Sequence, residues 1–235
     1  TLASALIDRL ALLNALRLRR HAKGAQNDAM ATHRQTWIAA ALAGAAIAAL
    51  FVAERRRPLR TQTRAAAPRI ARNLVLGATS MAVVSFVQTP LIERISAHVE
   101  RDRRGLVNAV AAPKWLRDAA AFVLLDYAMY HWHIATHRVP ALWRLHRVHH
   151  LDRDMDMTTA LRFHFVDMAV SMPVRLAQVR LIGAGPRAHG IWQAFFFASV
   201  LAHHSNLRLP FRVEAVLVRL LTTPRLHGIH HNADA

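Results

Sequence analysis

The chain has 235 residues, 54% of them hydrophobic, and 31 lysines and arginines against 14 acidic residues give it a formal charge of +17. So apolar a composition excludes a disordered chain, and such a charge on top of it argues against a simple water-soluble enzyme. The absence of cysteine removes disulfide scaffolds, zinc ribbons, iron–sulfur clusters and thiol nucleophiles together, so any metal must be held by His, Asp or Glu.

Residues 1–35 set Leu6, Leu10, Leu13 and Leu16 against Arg9, Arg17, Arg19 and Arg20, the pattern of a basic interfacial helix. They lack the order of a signal peptide. Trp37 to Ala53 then runs seventeen residues without a charge, at the short limit for a spanning helix, and Leu74 to Ile92 gives a second run of nineteen. Between them lies a loop holding Arg55, Arg56, Arg57, Arg60, Arg64, Arg69 and Arg72. A third apolar segment, Trp115 to Trp132, carries Asp118 and Asp126; Asp118, beside Lys114 and Arg117, is expected to be solvated near an interface. Phe165 to Ile182 and Ile191 to Ala202 are weaker, interrupted by Pro173, Arg175 and Arg180 and separated by Gly183 to Pro186, and they suit either a spanning hairpin or an in-plane pair.

No alternating strand pattern occurs, so the expected fold is all-α and embedded in a membrane, with the chain divided at 1–35, 36–125 and 126–235. The basic residues are nearly all arginine and sit in short runs beside the apolar segments. That placement fits membrane flanks facing anionic headgroups, not the aromatic-interleaved face of a nucleic-acid binder. An Ala- and Arg-heavy genome would account for much of the excess equally well. The Arg-rich loop at 55–72 places its side in the cytoplasm and, two crossings later, the histidine-rich region with it, although Arg101, Arg103, Arg104, Lys114 and Arg117 load the opposite loop almost as heavily.

Sixteen histidines are present, thirteen of them between His131 and His231. His133 and His137 stand four apart; His146, His149 and His150 stand at i, i+3 and i+4; His227, His230 and His231 repeat that spacing. Each set shares one helical face. Pro140 and the pair Thr223-Pro224 read as helix starts before the two triplets. Lone histidines such as His21, His33, His98 and His189 are ordinary polar side chains, but eight imidazoles in three same-face sets call for a common partner, and a metal satisfies neutral imidazole directly. Eight exceed one zinc and suit two ions. The glutamates Glu54, Glu93, Glu100 and Glu214 lack the spacing of a carboxylate di-iron site, and the zinc-protease pattern is absent. Adjacent pairs such as His149-His150 do not suit bis-histidine haem. A nitrogen-rich pair of irons remains.

The order of these motifs carries a resemblance. Asp126-x3-Tyr130-x2-His133-x3-His137, then Leu142-Trp143-Arg144-Leu145-His146-Arg147-Val148-His149-His150, then Arg162-Phe163-His164, His204-Ser205-Asn206 and Thr223-Pro224-Arg225-Leu226-His227-x2-His230-His231 resemble the fatty acid hydroxylase / sterol desaturase superfamily over roughly residues 54 to 231. The resemblance implies an integral membrane oxygenase with about four transmembrane helices and a helical, His-rich cap at the cytoplasmic face holding a dimetal site of two iron ions, with O2 as co-substrate. The implied ligands are His133, His137, His146, His149, His150, His164, His204, His227, His230 and His231, with His131 and His203 as extra neighbours. The motifs depart from the family pattern at Ile134, Phe165 and Asp167. The chain also stops four residues after His231, before the family's next conserved segment, and is expected to be a fragment.

Asp126, Asp152 and Asp167 are candidates to orient an imidazole N–H from behind. Asp152, Asp154 and Asp156 also suit a solvated, helix-capping loop. The expected reaction is hydroxylation or desaturation of a lipid C–H bond in a fatty acyl, sterol or related substrate. Neither a flavin fingerprint nor a haem signature is present, so electrons must come from an external donor of ferredoxin or cytochrome type with its reductase. Nucleic acid is not an expected partner. The alternative is a non-catalytic membrane metal-binding or transport protein, in which histidines would be spread through the spans as a pathway.

Overall fold

The computed structural model describes residues 37–232, and these form helices joined by short loops, with no strand among them beyond an isolated bridge between Pro58 and Leu207. The chain divides into two compact units, residues 1–49 and 50–235. Helix α1 spans Trp37–Arg56. The amphipathic stretch expected at 1–35 lies outside the described residues.

From Leu50 onward the order is α2 (Ala66–Val83), a π-helical turn at Val84–Gln88, α3 (Thr89–Arg101), α4 (Lys114–Arg138), α5 (Pro140–His150), α6 (Phe165–Ile182), α7 (Pro186–His204), α8 (Phe211–Leu217) and α9 (Pro224–His230). Short 3-10 turns occupy Leu106–Asn108 and Met157–Leu161. The expected second apolar run thus lies within one long rod made of α2, the π turn and α3. The widened turn falls just before Pro90, whose missing N–H and bulky ring cannot follow ordinary α geometry against the carbonyl four residues back. Arg69 and Arg72, expected in a loop, lie inside α2, and Arg69 is buried.

Proline and glycine punctuate the rest. Val139 is extended, as a residue before proline must be, and Pro140, Pro186 and Pro224 open α5, α7 and α9. Helix α6 stops at Gly183, at φ +86°, which packs directly on Gly105, at φ +92°; a Cβ on Gly105 would lie 2.4 Å from the Gly183 Cα. Two helical stretches among the described residues are long and apolar enough to cross a membrane, Trp37–Arg56 and Ala66–Asn108. Asp118 bonds Lys114 one turn away, with Oδ1 at 3.1 Å, as its charged neighbours suggest.

The apolar core joins α3, α4, α6 and α7 through Ile92, Ala121, Leu125, Val179, Ile182, Ala188 and Trp192. On α4 and α7 these residues occupy the N-terminal half, and on α6 the C-terminal half. The core therefore fills one end of the bundle. The opposite end receives the histidine-bearing C-termini of α4 and α7, roughly 18 Å along α4 from Leu125 to His137 at 1.5 Å per residue.

Candidate metal centre

Helices α4, α5 and α7 each deliver histidines from their final turns, and α9 contributes His227, His230 and its capping residue His231. A helix C-terminus carries unpaired carbonyls and a partial negative charge, so three converging C-termini favour a cation between them. Imidazole nitrogens of His149, His204, His227 and His231 lie within 4.8 Å of one another, and the same holds for three overlapping trios: His133, His137 and His230; His137, His146 and His150; His150, His230 and His231. The nine histidines form a deep group (His149, His204, His227, His231) and a shallower one (His133, His137, His146, His150, His230). The last trio joins them, with the His150 and His231 rings stacked at 4.1 Å.

The hydrogen-bond pattern fits this set to a metal. His204 Nδ1 sits 2.7 Å from the Val200 carbonyl. A carbonyl only accepts, so Nδ1 carries the hydrogen and Nε2 is left as a lone pair. That lone pair faces His149 Nε2 at 2.8 Å and His227 Nε2 at 2.9 Å. In the shallower group, Nε2 of His137, His146 and His150 are buried without a hydrogen-bond partner, as are both ring nitrogens of His231. Each buried polar atom left unpaired costs about 1–3 kcal/mol. A bound cation could satisfy so many in one place together, and an all-imidazole donor set suits a transition metal better than calcium or magnesium.

Protonation agrees. Burial, reinforced by neighbouring imidazoles, holds His149, His227 and His231 well below the ordinary value of 6.5, and pushes His150 down to about 2. All four are neutral at pH 7 and keep their lone pairs free. Behind the site, buried Asp167 places Oδ2 3.6 Å from His146 Nδ1, leaving the His146 Nε2 to face the shallower group. Asp167 lies in the first turn of α6, where the helix dipole favours a carboxylate.

A family model for fatty acid hydroxylase matches residues 119–235. Residues 119–235 are a fatty acid hydroxylase domain. It belongs to the sterol desaturase/fatty acid hydroxylase superfamily, whose members are oxidoreductases that hydroxylate or desaturate. No curated protein and no solved structure matches the chain.

The fatty acid hydroxylase domain contains all nine clustered histidines. The tenth implied ligand, His164, stands apart. It caps α6, its Nδ1 accepting the Val166 N–H at 3.2 Å, and its ring stacks on Phe165, so it joins none of the four groups. Of the three aspartates, only Asp167 meets an imidazole. Asp126 shares a face of α4 with His133, but it lies about 10 Å down the axis and is exposed. Asp152 is buried and instead accepts from Asn73 Nδ2 at 2.8 Å, Thr159 Oγ1 at 2.7 Å and Arg69 Nη1 at 3.3 Å. The His203 ring lies tilted against that of His227 at 4.1 Å without joining a group, and exposed His131 bonds the Tyr127 carbonyl at 2.9 Å.

The loop 151–162 is not a solvated one. Asp152, Asp154 and Asp156 are all buried. Asp156 pairs with Arg69, and Asp154 caps the segment at Thr63 and Arg64. Arg162 ties the Val148 carbonyl, at 2.8 Å, to Asn73 Oδ1, at 3.0 Å. These supporting residues escaped sequence reading because arginine beside an apolar run looks like a membrane flank. The available signal was Arg69-x3-Asn73, two polar side chains on one face of an apolar helix.

Proposed function

We propose that the protein is a membrane-bound, di-iron, O2-dependent oxidoreductase that hydroxylates or desaturates a C–H bond of a lipid, fatty acyl or sterol in type. The observation that carries this reading is the pair of adjoining imidazole groups within a fatty acid hydroxylase domain. The deep group would hold one ion through His149, His204, His227 and His231, and the shallower group a second through His133, His137, His146, His150 and His230. The chemistry that two irons supply when bound is the reduction of dioxygen by two electrons from an external donor, coupled to removal of hydrogen from an unactivated carbon.

The protein's own residues do the rest. The ring nitrogens of His149, His150, His227 and His231 stay neutral because burial disfavours their charged form, so these ligands do not compete with protons at physiological pH. Asp167, with Oδ2 3.6 Å from His146 Nδ1, would favour the orientation of His146 that leaves its buried Nε2 to bind. Exposed His230 and Ile229 leave the shallower group the more open side, suited to admit a substrate carbon. The deep group, walled by Phe163 stacked on His149 at 4.3 Å, excludes water. About four spanning helices would keep the lipid tail in hydrocarbon while its reacting carbon reaches the histidines. The cap would face the cytoplasm, where a ferredoxin- or cytochrome-type donor is available.

The test is oxidation of a lipid extract by iron-loaded protein with an electron donor. A product that gains oxygen, or a double bond, only when O2 is supplied is the expected result. An identical lipid profile with and without O2, in protein that carries its metal, would overturn the catalytic reading.

A further inference from the structure

Arg60 lies before the fatty acid hydroxylase domain begins, yet it touches two of the segments that carry the deep histidines. Its Nη2 donates to the Ser205 carbonyl at 3.1 Å, one residue after His204, and its Nη1 donates to the Pro224 carbonyl at 3.0 Å, at the start of the helix carrying His227 and His231. The base of the side chain is held as firmly. The Arg60 N–H donates to Asn206 Oδ1 at 2.8 Å, and the Arg60 carbonyl accepts from Asn206 Nδ2 at 2.9 Å. One step back, Glu54 Oε2 accepts the Asn206 N–H at 2.8 Å and the Met157 N–H at 3.0 Å.

Gly228 explains why the guanidinium can sit there. A Cβ at this position would lie 2.2 Å from Arg60 Nη1, so only glycine leaves the fork in place. The residue between His227 and Ile229 is thus small for a reason independent of helix geometry. A planar guanidinium spans two carbonyls at once, which a lysine ammonium does not do in the same fixed geometry.

We infer that Arg60, seated on Gly228, is a positioning residue that sets the spacing of His204 against His227 and His231, and so governs how tightly the deep group holds its metal. This rests on the two-metal reading above and adds to it a residue from outside the family domain.

The test is Co(II) titration of full-chain protein followed by ligand-field absorption, in two backgrounds. His133→Ala/His137→Ala keeps the deep group intact; His204→Ala/His227→Ala keeps all five histidines of the shallower one. In the first background, Arg60→Ala and Gly228→Ala should each weaken Co(II) binding by about 10–100-fold, the range for loss of a supporting contact behind a metal ligand, and shift the absorption bands. In the second, where α9 supplies only His230 of the shallower group, both should weaken Co(II) binding far less. Because both changes remove one contact, Arg60→Ala/Gly228→Ala should be no weaker than either single variant. Arg60→Lys should fall between wild type and Arg60→Ala.

Unchanged affinity and spectrum for Arg60→Ala in the first background would overturn the inference while leaving the two-metal reading intact. Losses that multiply in the double variant, or that appear equally in both backgrounds, would reduce Arg60 to a general structural role. Should Arg60→Ala fail to fold, Gly228→Ala carries the test, since it displaces only the flexible tip of Arg60. Failure of both parent backgrounds to bind Co(II) would overturn the two-metal reading and this one with it.

Discussion

A histidine's role here depends on where its lone pair points, which sequence spacing reports only in part. The i, i+3, i+4 triplets at His146, His149, His150 and at His227, His230, His231 do converge, because each shares a helical face and each helix end abuts the others. His204 belongs with them although no local spacing marks it; only its place in the order of motifs suggested it. His164 was suggested in the same way and lies apart, since a residue at a helix N-cap uses its ring on the backbone. Replacing His150 or His231 with Ala should therefore lower metal content and abolish lipid oxidation, whereas His98→Ala and His189→Ala should leave both near wild type. A His189→Ala variant as damaged as His231→Ala would contradict the grouping. Protonation gives a second test. His150 is pushed down to about 2 in the fold, chiefly by burial, against an ordinary 6.5, and His149, His227 and His231 move the same way. The unfolded chain thus binds more protons between these limits, so the metal-free protein should keep its stability above pH 6.5 and lose it as the pH falls toward 2. Thermal melting of metal-free protein in detergent at pH 7.5 and pH 5 checks this; equal melting temperatures would show that the imidazoles are not buried together.

Helix α2 and the loop 151–162 show how an element outside the family domain holds the site in place. Arg69 and Asn73 bond Asp152, Asp156, Thr158 and Arg162, and Arg162 continues to the Val148 carbonyl beside His149. The segment between the second and third histidine helices is thereby fixed against α2. Arg69→Ala leaves two buried carboxylates without their cation and should cost about 3–5 kcal/mol of stability, the usual penalty for breaking a buried pair. A melting shift no larger than that of an exposed control such as Arg57→Ala would contradict it. Helix existence was legible along most of the chain, since apolar runs, Pro140, Pro186 and Gly183 mark starts and stops by local chemistry. The inward turn of Arg60 and Arg69 was not, because a snorkelling arginine and a buried one have the same sequence neighbours, and the choice between them is made by distant carboxylates and carbonyls.

Taken whole, the molecule separates two kinds of interior. An apolar core joins α3, α4, α6 and α7 at one end, and a polar end holds the histidines and the carboxylate–arginine network. Two helical stretches among the described residues are also long and apolar enough to cross a bilayer. The all-α class was legible from the lack of any alternating pattern, while the number of crossings was not, because charges such as Arg175 and Asp167 interrupt the later helices. The claim on which the rest depends is that the nine histidines form two metal sites. The direct measurement is the ratio of metal to protein in purified wild type and in a His204→Ala/His227→Ala variant, by elemental analysis. The account predicts about two ions per chain, falling to about one in the variant. A wild-type ratio of zero or one, or a ratio of two that survives the double replacement, would contradict it.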